Sequence, residues 1–144
     1  MAVDGSFAVI GAYVSGVYNS TYDTIEYAGE AHIFAIDSNT HNWSQVAHLR
    51  APDRKEGDLF GFSVDIHGTF AVVGAPYADD DTSGSKKYVS SGSAYVYGLD
   101  SASGIWQFKQ KLTSFDRNHY QLFGQSVAIH NDIILIGAPG ETKD

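Results

Sequence analysis

The chain has 144 residues, a formal net charge of −8 and no cysteine. Its nine lysines and arginines are scattered, which argues against nucleic acid or an anionic membrane as a partner, since both attract clustered positive charge. The absence of cysteine excludes disulfides and cysteine-ligated zinc, and no apolar run approaches the ~18 residues of a membrane-spanning helix. The first residues lack the basic region of a signal peptide, so the leader of a secreted parent protein would lie outside this sequence.

The sequence repeats itself with a period of 63 residues. The stretch LFGFSVDIHGTFAVVGAP at 59–76 returns as LFGQSVAIHNDIILIGAP at 122–139, and Trp43 aligns with Trp106 at the same offset. Agreement over a whole period indicates a tandem repeat. We interpret residues 1–57 as an incomplete first copy that lacks most of its first strand, 58–120 as a complete second copy, and 121–144 as the first two strands of a third.

The first two strands of a copy are predicted to form a hairpin. In the second copy they cover 62–66 and 69–75, joined by the pair His67-Gly68. Aligned pairs stand at Asp4-Gly5 and His130-Asn131, and Gly or Asn suits a tight two-residue turn. The second strand is continuously apolar, which indicates burial on both of its faces.

The third and fourth strands of the second copy are predicted at 93–99 and 106–112. The third strand alternates small and large residues, and its first-copy counterpart lies at 30–36. The fourth alternates apolar residues with glutamine and lysine, as is typical of an outer edge strand that avoids pairing with other chains.

A four-stranded unit repeated in tandem, with doubly buried inner strands, predicts the blades of a β-propeller. The fold class is therefore all-β, with four-stranded antiparallel sheets and about two and a third blades. Gly61 and Gly74 are expected where neighbouring backbones approach too closely for a side chain, and Phe60 and Phe123 are expected to fill the gaps between blades. Propellers usually have ~4–8 blades, so we expect further blades to cover the end faces, from a longer chain or from other copies.

These residues resemble the FG-GAP repeat, the blade of the integrin α-subunit propeller. The motif is written as Phe-Gly followed by Gly-Ala-Pro: Phe60, Gly61, Gly74, Ala75 and Pro76, then Phe123, Gly124, Gly137, Ala138 and Pro139. The resemblance implies a propeller on the cell surface or outside the cell. The first copy departs from it with Gly11-Ala12-Tyr13. The calcium loop of that family is not carried over, because a two-residue hairpin cannot supply six or more oxygen ligands.

The loops that follow the Gly-Ala-Pro positions, 13–29 and 76–92, are the predicted contact surface. These loops are rich in tyrosine, a residue type that is enriched at interfaces. The alternative interpretation of each tyrosine is that it covers its own blade. The candidate binding residues are Tyr13, Tyr18, Tyr22, Tyr77 and Tyr88, together with the triplet Asp79, Asp80 and Asp81. The triplet lacks the glycine and the glutamate of a calcium loop, so we favour a solvated acidic loop over calcium and expect no cofactor.

No catalytic chemistry is indicated. Ser63 lacks the second glycine of a nucleophile elbow, and the six histidines show neither His-x-x-x-His nor Glu-x-x-His spacing, so no metal site is predicted. We predict a non-enzymatic scaffold or binding module that presents its loops to a protein or glycan, in adhesion or extracellular assembly. Two alternatives stay open: an accessory or active-site-wall propeller of a larger hydrolase or lyase, and a purely structural component of a large complex.

Overall fold

The computed structural model describes residues 1–18, 24–79 and 88–140. These residues form twelve β-strands and no helix, which confirms the all-β fold class. The strands are β1 (Ala2–Asp4), β2 (Phe7–Ala12), β3 (Val17–Tyr18), β4 (Thr24–Ile25), β5 (Glu30–Ile36), β6 (Trp43–Leu49), β7 (Ser63–His67), β8 (Phe70–Ala75), β9 (Ser93–Asp100), β10 (Ile105–Leu112), β11 (Ser126–His130) and β12 (Ile133–Gly137). The described part of the chain contains no helix with the length and apolarity needed to cross a membrane.

The strands form two four-stranded antiparallel sheets followed by a two-stranded one. Blade 1 has the order β1-β2-β5-β6, and blade 2 has the equivalent order β7-β8-β9-β10. The third sheet consists of β11 and β12, and a short ribbon of β3 and β4 projects from blade 1 between β2 and β5. Each sheet is an antiparallel meander in which neighbouring strands follow one another along the chain, except that the ribbon of β3 and β4 is inserted between β2 and β5.

The predicted two-residue hairpins are present, but each lies one residue later than predicted. The registers Asp4↔Phe7, His67↔Phe70 and His130↔Ile133 leave Gly5-Ser6, Gly68-Thr69 and Asn131-Asp132 as the loops. The first residue of each loop has a positive φ, at 53°, 56° and 51°. The glycine or asparagine therefore has to lead the turn, and the predicted Asp4, His67 and His130 are instead the last residues of their strands.

Blade 2 is buried on both faces, as its continuously apolar second strand predicts. Val73 and Tyr95 belong to a core with Val9 and Ile33 of blade 1. The neighbouring Val72 faces the opposite way and packs with residues of the third sheet. Consecutive strand residues point to opposite faces, so one strand contributes to two separate cores, and the sheets stack face to face as propeller blades do.

Among the described residues, no further sheet covers the two outer faces of the stack. Ile133 and Leu135 of β12 are 65% and 67% exposed, although Leu135 aligns with the fully buried Val72. At the other end, Ile10 of β2 is also exposed, although it aligns with the buried Val73. The same apolar pattern is therefore covered where a neighbouring sheet is present and uncovered where none is.

Phe60 and Gly61 show how tightly the blades approach. The Phe60 ring is fully buried and makes edge contacts with Tyr95 and Tyr97, at centroid distances of 5.4 and 6.1 Å. A Cβ on Gly61 would lie 2.3 Å from the Glu30 carbonyl oxygen, and the φ of Gly61 is +91°. A Cβ on Gly74 would lie 2.0 Å from the Gly124 oxygen. Backbone meets backbone at these points, so a side chain has no room.

Candidate functional site

The longer connections all emerge at one end of the sheets, because every blade is an antiparallel meander. We call this end the post-GAP rim, and it comprises residues 13–18, 24–29, 50–62, 76–79, 88–92 and 113–125. The opposite end, the hairpin rim, carries the short turns at 5–6, 37–42, 68–69, 101–104 and 131–132. Both predicted contact loops therefore reach the same rim, together with the connections between successive blades.

Backbone hydrogen bonds tie the loops of the post-GAP rim to one another. The Leu59 amide donates to Tyr27 O at 3.0 Å, and the Phe60 amide donates to Ala28 O at 3.0 Å. One repeat later the Leu122 amide donates to Ser90 O at 3.1 Å. The connection that enters each blade thus pairs with the loop of the preceding blade, so the rim is a continuous, cross-linked surface.

The structure describes four of the five predicted tyrosines. Tyr13 and Tyr77 are each 41% exposed on the post-GAP rim, and the Tyr13 ring rests edge-on against Phe62 at 5.3 Å. Tyr88 is half-buried and packs against His119 at 5.5 Å. Tyr18 is part of the short strand β3. Tyr22, Asp80 and Asp81 lie outside the described residues.

Asp79 has a local structural role. Its Oδ1 accepts a hydrogen bond from the Ser90 amide at 2.8 Å. Its backbone oxygen accepts from the Tyr88 amide at 2.9 Å and from Arg117 Nη2 at 3.2 Å. These bonds fasten the two ends of the second contact loop, so this carboxylate is engaged in closing the loop.

The rim carries further exposed aromatic residues that were not among the candidates chosen from the sequence. Tyr27 and Tyr120 are 52% and 63% exposed, and Phe115 is fully exposed. Tyr27 and Tyr120 both have a positive φ, at 54° and 63°. Phe115 and Tyr120 belong to the connection between blades, and the sequence alone gave no sign that this connection folds against the loop of the preceding blade.

A second group of functional side chains, which we call the His–Glu cluster, consists of Glu30, His32 and His48. It lies on the face of blade 1 that points away from blade 2. Glu30 and His32 are two residues apart on β5 and share a face, and His32 stands directly opposite His48 of β6. Glu30 Oε2 lies 2.5 Å from His48 Nε2, and Glu30 Oε1 lies 3.4 Å from His32 Nε2. The two imidazole rings stack at 4.7 Å.

The surroundings of Glu30 keep it ionised at neutral pH. Partial burial opposes ionisation, but hydrogen bonds from His48 and Ser15, together with the charges of His48 and His32, outweigh it and hold the pKa of Glu30 below its ordinary value. Ser15 Oγ donates to Oε1 at 2.9 Å. Arg50 Nη2 lies 3.5 Å from Oε2. The cluster therefore combines a carboxylate with two imidazole nitrogens that converge on it.

The cluster was not predicted from the sequence, because its residues lack the His-x-x-x-His and Glu-x-x-His spacings that bring metal ligands together on a helix. The Glu-x-His pattern on the predicted strand 30–36 was a usable signal, since it places both side chains on one face. The position of His48 was not predictable in the same way. The pairing of β5 with β6 shifts between Ile33 and Phe34, and a one-residue shift moves a side chain to the other face.

A related polar group lies at the interface between blades 1 and 2. Lys111 Nζ lies 2.6 Å from Asp53 Oδ2, and Tyr95 Oη donates to Asp53 Oδ1 at 2.9 Å. Burial opposes ionisation of Asp53, but these two partners outweigh it and lower its pKa. Tyr95 and Lys111 occupy the positions 63 residues after His32 and His48. The same place in two successive blades thus carries two different polar groups.

The comparisons with known proteins agree with this architecture. The family model of the FG-GAP repeat matches residues 43–97 and 106–144, which is more than half of the chain. A search of curated proteins found no match. FG-GAP repeats build the blades of β-propeller-like binding modules, which are generally non-catalytic and typically extracellular. The chain belongs to the FG-GAP repeat family, and its sheets are blades of a β-propeller.

Proposed function

We propose that this chain is a non-enzymatic binding module whose post-GAP rim binds an extracellular protein or carbohydrate, in adhesion or in extracellular assembly. The observation that carries the proposal is the gathering of exposed aromatic side chains on this rim: Tyr13, Tyr27, Tyr77, Phe115 and Tyr120. Single exposed apolar residues are ordinary, but several on one surface favour an interaction site.

The chemistry of these side chains suits recognition. Tyrosine offers a large apolar face and a hydroxyl, and it has few rotatable bonds to order on binding. Backbone hydrogen bonds between the rim loops restrain the segments that carry these rings, which reduces the entropy lost when a partner docks. The net charge of −8 favours a neutral or basic partner surface over an acidic one.

The hydroxyl of Ser63, which the sequence analysis weighed as a nucleophile, favours the non-enzymatic reading. Its Oγ donates to Gly124 O at 2.7 Å across the interface between blade 2 and the third sheet. In the described part of the chain this hydroxyl bonds to a backbone carbonyl and not to a histidine that could activate it, which suits a role in packing between blades. The repeat supports the same role, because Ser126 stands at the aligned position.

The proposal is tested with the purified 144-residue chain on a glycan array and on a surface-plasmon-resonance panel of extracellular matrix proteins. The variant Tyr27→Ser/Tyr77→Ser/Tyr120→Ser should weaken binding to whatever ligand the panels identify by at least about tenfold, because aromatic anchors carry much of the binding energy of an interface.

The matched control is Trp43→Ser/Ile105→Ser/Ile133→Ser, which removes three exposed apolar side chains beside the hairpin rim. This control should retain the affinity of the wild type, and thermal melting should verify that both triple variants fold. Binding lost in the control and retained in the tyrosine variant would place the contact surface elsewhere. The absence of any ligand on both panels would count against a protein or carbohydrate partner.

A further inference from the structure

We propose that the His–Glu cluster is a binding site for a divalent transition-metal ion of the Zn²⁺ type. Glu30, His32 and His48 each offer one ligand atom, and these atoms all lie within 4.8 Å of one another. Two imidazoles and one carboxylate form a common zinc ligand set, which leaves a further coordination position for water or another ligand. The inference does not depend on the proposed function of the post-GAP rim.

The backbone already places the three side chains together. His32 and His48 are directly paired across two antiparallel strands, and Glu30 is on the same face two residues before His32. All three side chains are at least partly shielded, with exposed fractions of 14% for Glu30, 21% for His32 and 33% for His48. Binding a metal ion thus requires side-chain rotation alone, without movement of the strands.

Neighbouring groups can hold Glu30 in place while it binds a metal ion. Ser15 donates to Oε1 and Arg50 contacts Oε2, so each carboxylate oxygen has a polar neighbour besides histidine. Such outer contacts orient metal-binding carboxylates. The Arg50 side chain is 41% exposed and can turn into solvent, which removes its repulsion of an incoming cation.

The donor atoms also select the class of ion. Imidazole nitrogen suits Zn²⁺, Cu²⁺ and Ni²⁺, whereas Ca²⁺ and Mg²⁺ take oxygen ligands, of which this cluster offers one carboxylate. The aligned positions of blade 2 hold Ser93, Tyr95 and Lys111, a set with no imidazole or carboxylate. The site is therefore a property of blade 1 and is not a general feature of the repeat in this chain.

The test is a Zn²⁺ titration of the full chain, free of any histidine tag and of metal, with a chromophoric chelator as competitor at pH 7.5. We expect one saturable site. His32→Ala and His48→Ala should each weaken it by at least roughly 100-fold, because each removes a direct ligand and the loss of a merely supporting group already costs roughly 10- to 100-fold. Co²⁺ in place of Zn²⁺ should give visible absorption bands that the same variants abolish. Ca²⁺ should neither bind nor displace Zn²⁺ at this site.

The matched control is His67→Ala/His130→Ala. These rings also lie close together, at 4.6 Å, but outside the cluster, so the control should leave the Zn²⁺ affinity unchanged. Circular dichroism without metal verifies that each variant folds. The proposal is overturned if the wild type shows no saturable Zn²⁺ binding, or if the cluster variants bind as the wild type does. It is also overturned if the control, and not the cluster variants, loses the site.

Discussion

Blades 1 and 2 present equivalent faces that differ in what covers them. On blade 2, Tyr95 and Lys111 are buried against blade 1 and both contact Asp53. On blade 1, the aligned His32 and His48 contact Glu30 of their own blade, on a face that no other sheet of the described residues covers. The backbone positions are the same, but the polar partner comes from the connection between the blades in one case and from the same strand pair in the other.

This difference shows how one repeat accommodates two interfaces. Where a neighbouring blade is present, the large rings of Tyr95 and Tyr97 pack on Phe60, and their hydroxyls reach across to Asp53 and to Arg50 O. Burial, together with the negative charge of Asp53, raises the pKa of both tyrosines above the ordinary value, so both stay protonated as donors. The polar contacts between blades thus differ from one repeat to the next, because they depend on the side chains present. The close backbone contacts at the glycines, such as Gly61 and Gly124, recur at each interface.

The largest expected effect comes from Phe60→Ala, which removes the ring that the blade 2 face packs against. Because Phe60 is fully buried, the free energy of unfolding should fall by about 3–5 kcal/mol. Phe123→Ala, at the aligned position of the next interface, should have a smaller effect because that ring is partly exposed. Urea denaturation of both variants measures the difference, and equal losses would contradict the unequal packing of the two interfaces.

The next effect concerns Asp58, which is buried in the connection between blades 1 and 2 with an exposed fraction of 5%. Burial raises its pKa to about 6, although the Lys55 amide donates to its Oδ2. The unfolded chain binds this proton with the ordinary value of 3.8. The folded state therefore binds more protons than the unfolded state between pH 3.8 and about 6, so stability falls as the pH rises through this range and stays low above it.

Asp58→Asn should remove this fall while keeping an acceptor for the Lys55 amide. The variant should match the wild type near pH 4 and exceed it near pH 7, by on the order of 3 kcal/mol. Thermal melts across this pH range measure the difference in stability between the two proteins. The lowered pKa values of Glu30 and Asp53 make stability depend on pH in the opposite direction, but both residues are present in both proteins, so their contributions cancel in the difference. The chain supplies a natural precedent, since the aligned residue is the neutral, buried Gln121. A difference independent of pH would refute the assignment to Asp58.

The smallest effect tests the two aligned polar positions directly. Lys111→Met keeps the aliphatic stem but removes the charge that pairs with Asp53, and should lower the free energy of unfolding by about 1–2 kcal/mol. This figure allows for solvent screening, because the Asp53 side chain is 37% exposed. His48→Met, at the uncovered position of blade 1, should change the metal-free stability by less than about 0.5 kcal/mol. Urea denaturation compares the pair, and a larger loss for His48→Met would reverse the comparison.

The features that were predictable from the sequence are periodic or local. The 63-residue repeat indicated four strands in each blade, and the unbroken apolar pattern of 70–75 predicted a strand buried on both sides. The hairpins were predicted with an error of one residue, because Gly and Asn mark a turn without stating whether they come first or second in it. These features follow from the alternation of side chains along a strand and from backbone conformation, which a short stretch of sequence determines.

Only the tertiary structure brought together Asp53 with Lys111, Glu30 with His48, and the aromatic residues of the interblade connection with the contact loops. These pairings join residues far apart in the chain, and the position of His48 further depends on the irregular pairing of β5 with β6. The sequence by itself determined the blade and its repetition. The pairing of strands within a blade and the docking of one blade on the next decided which side chains share a site, because that geometry is set by many weak packing contacts between distant segments and by none of those segments alone.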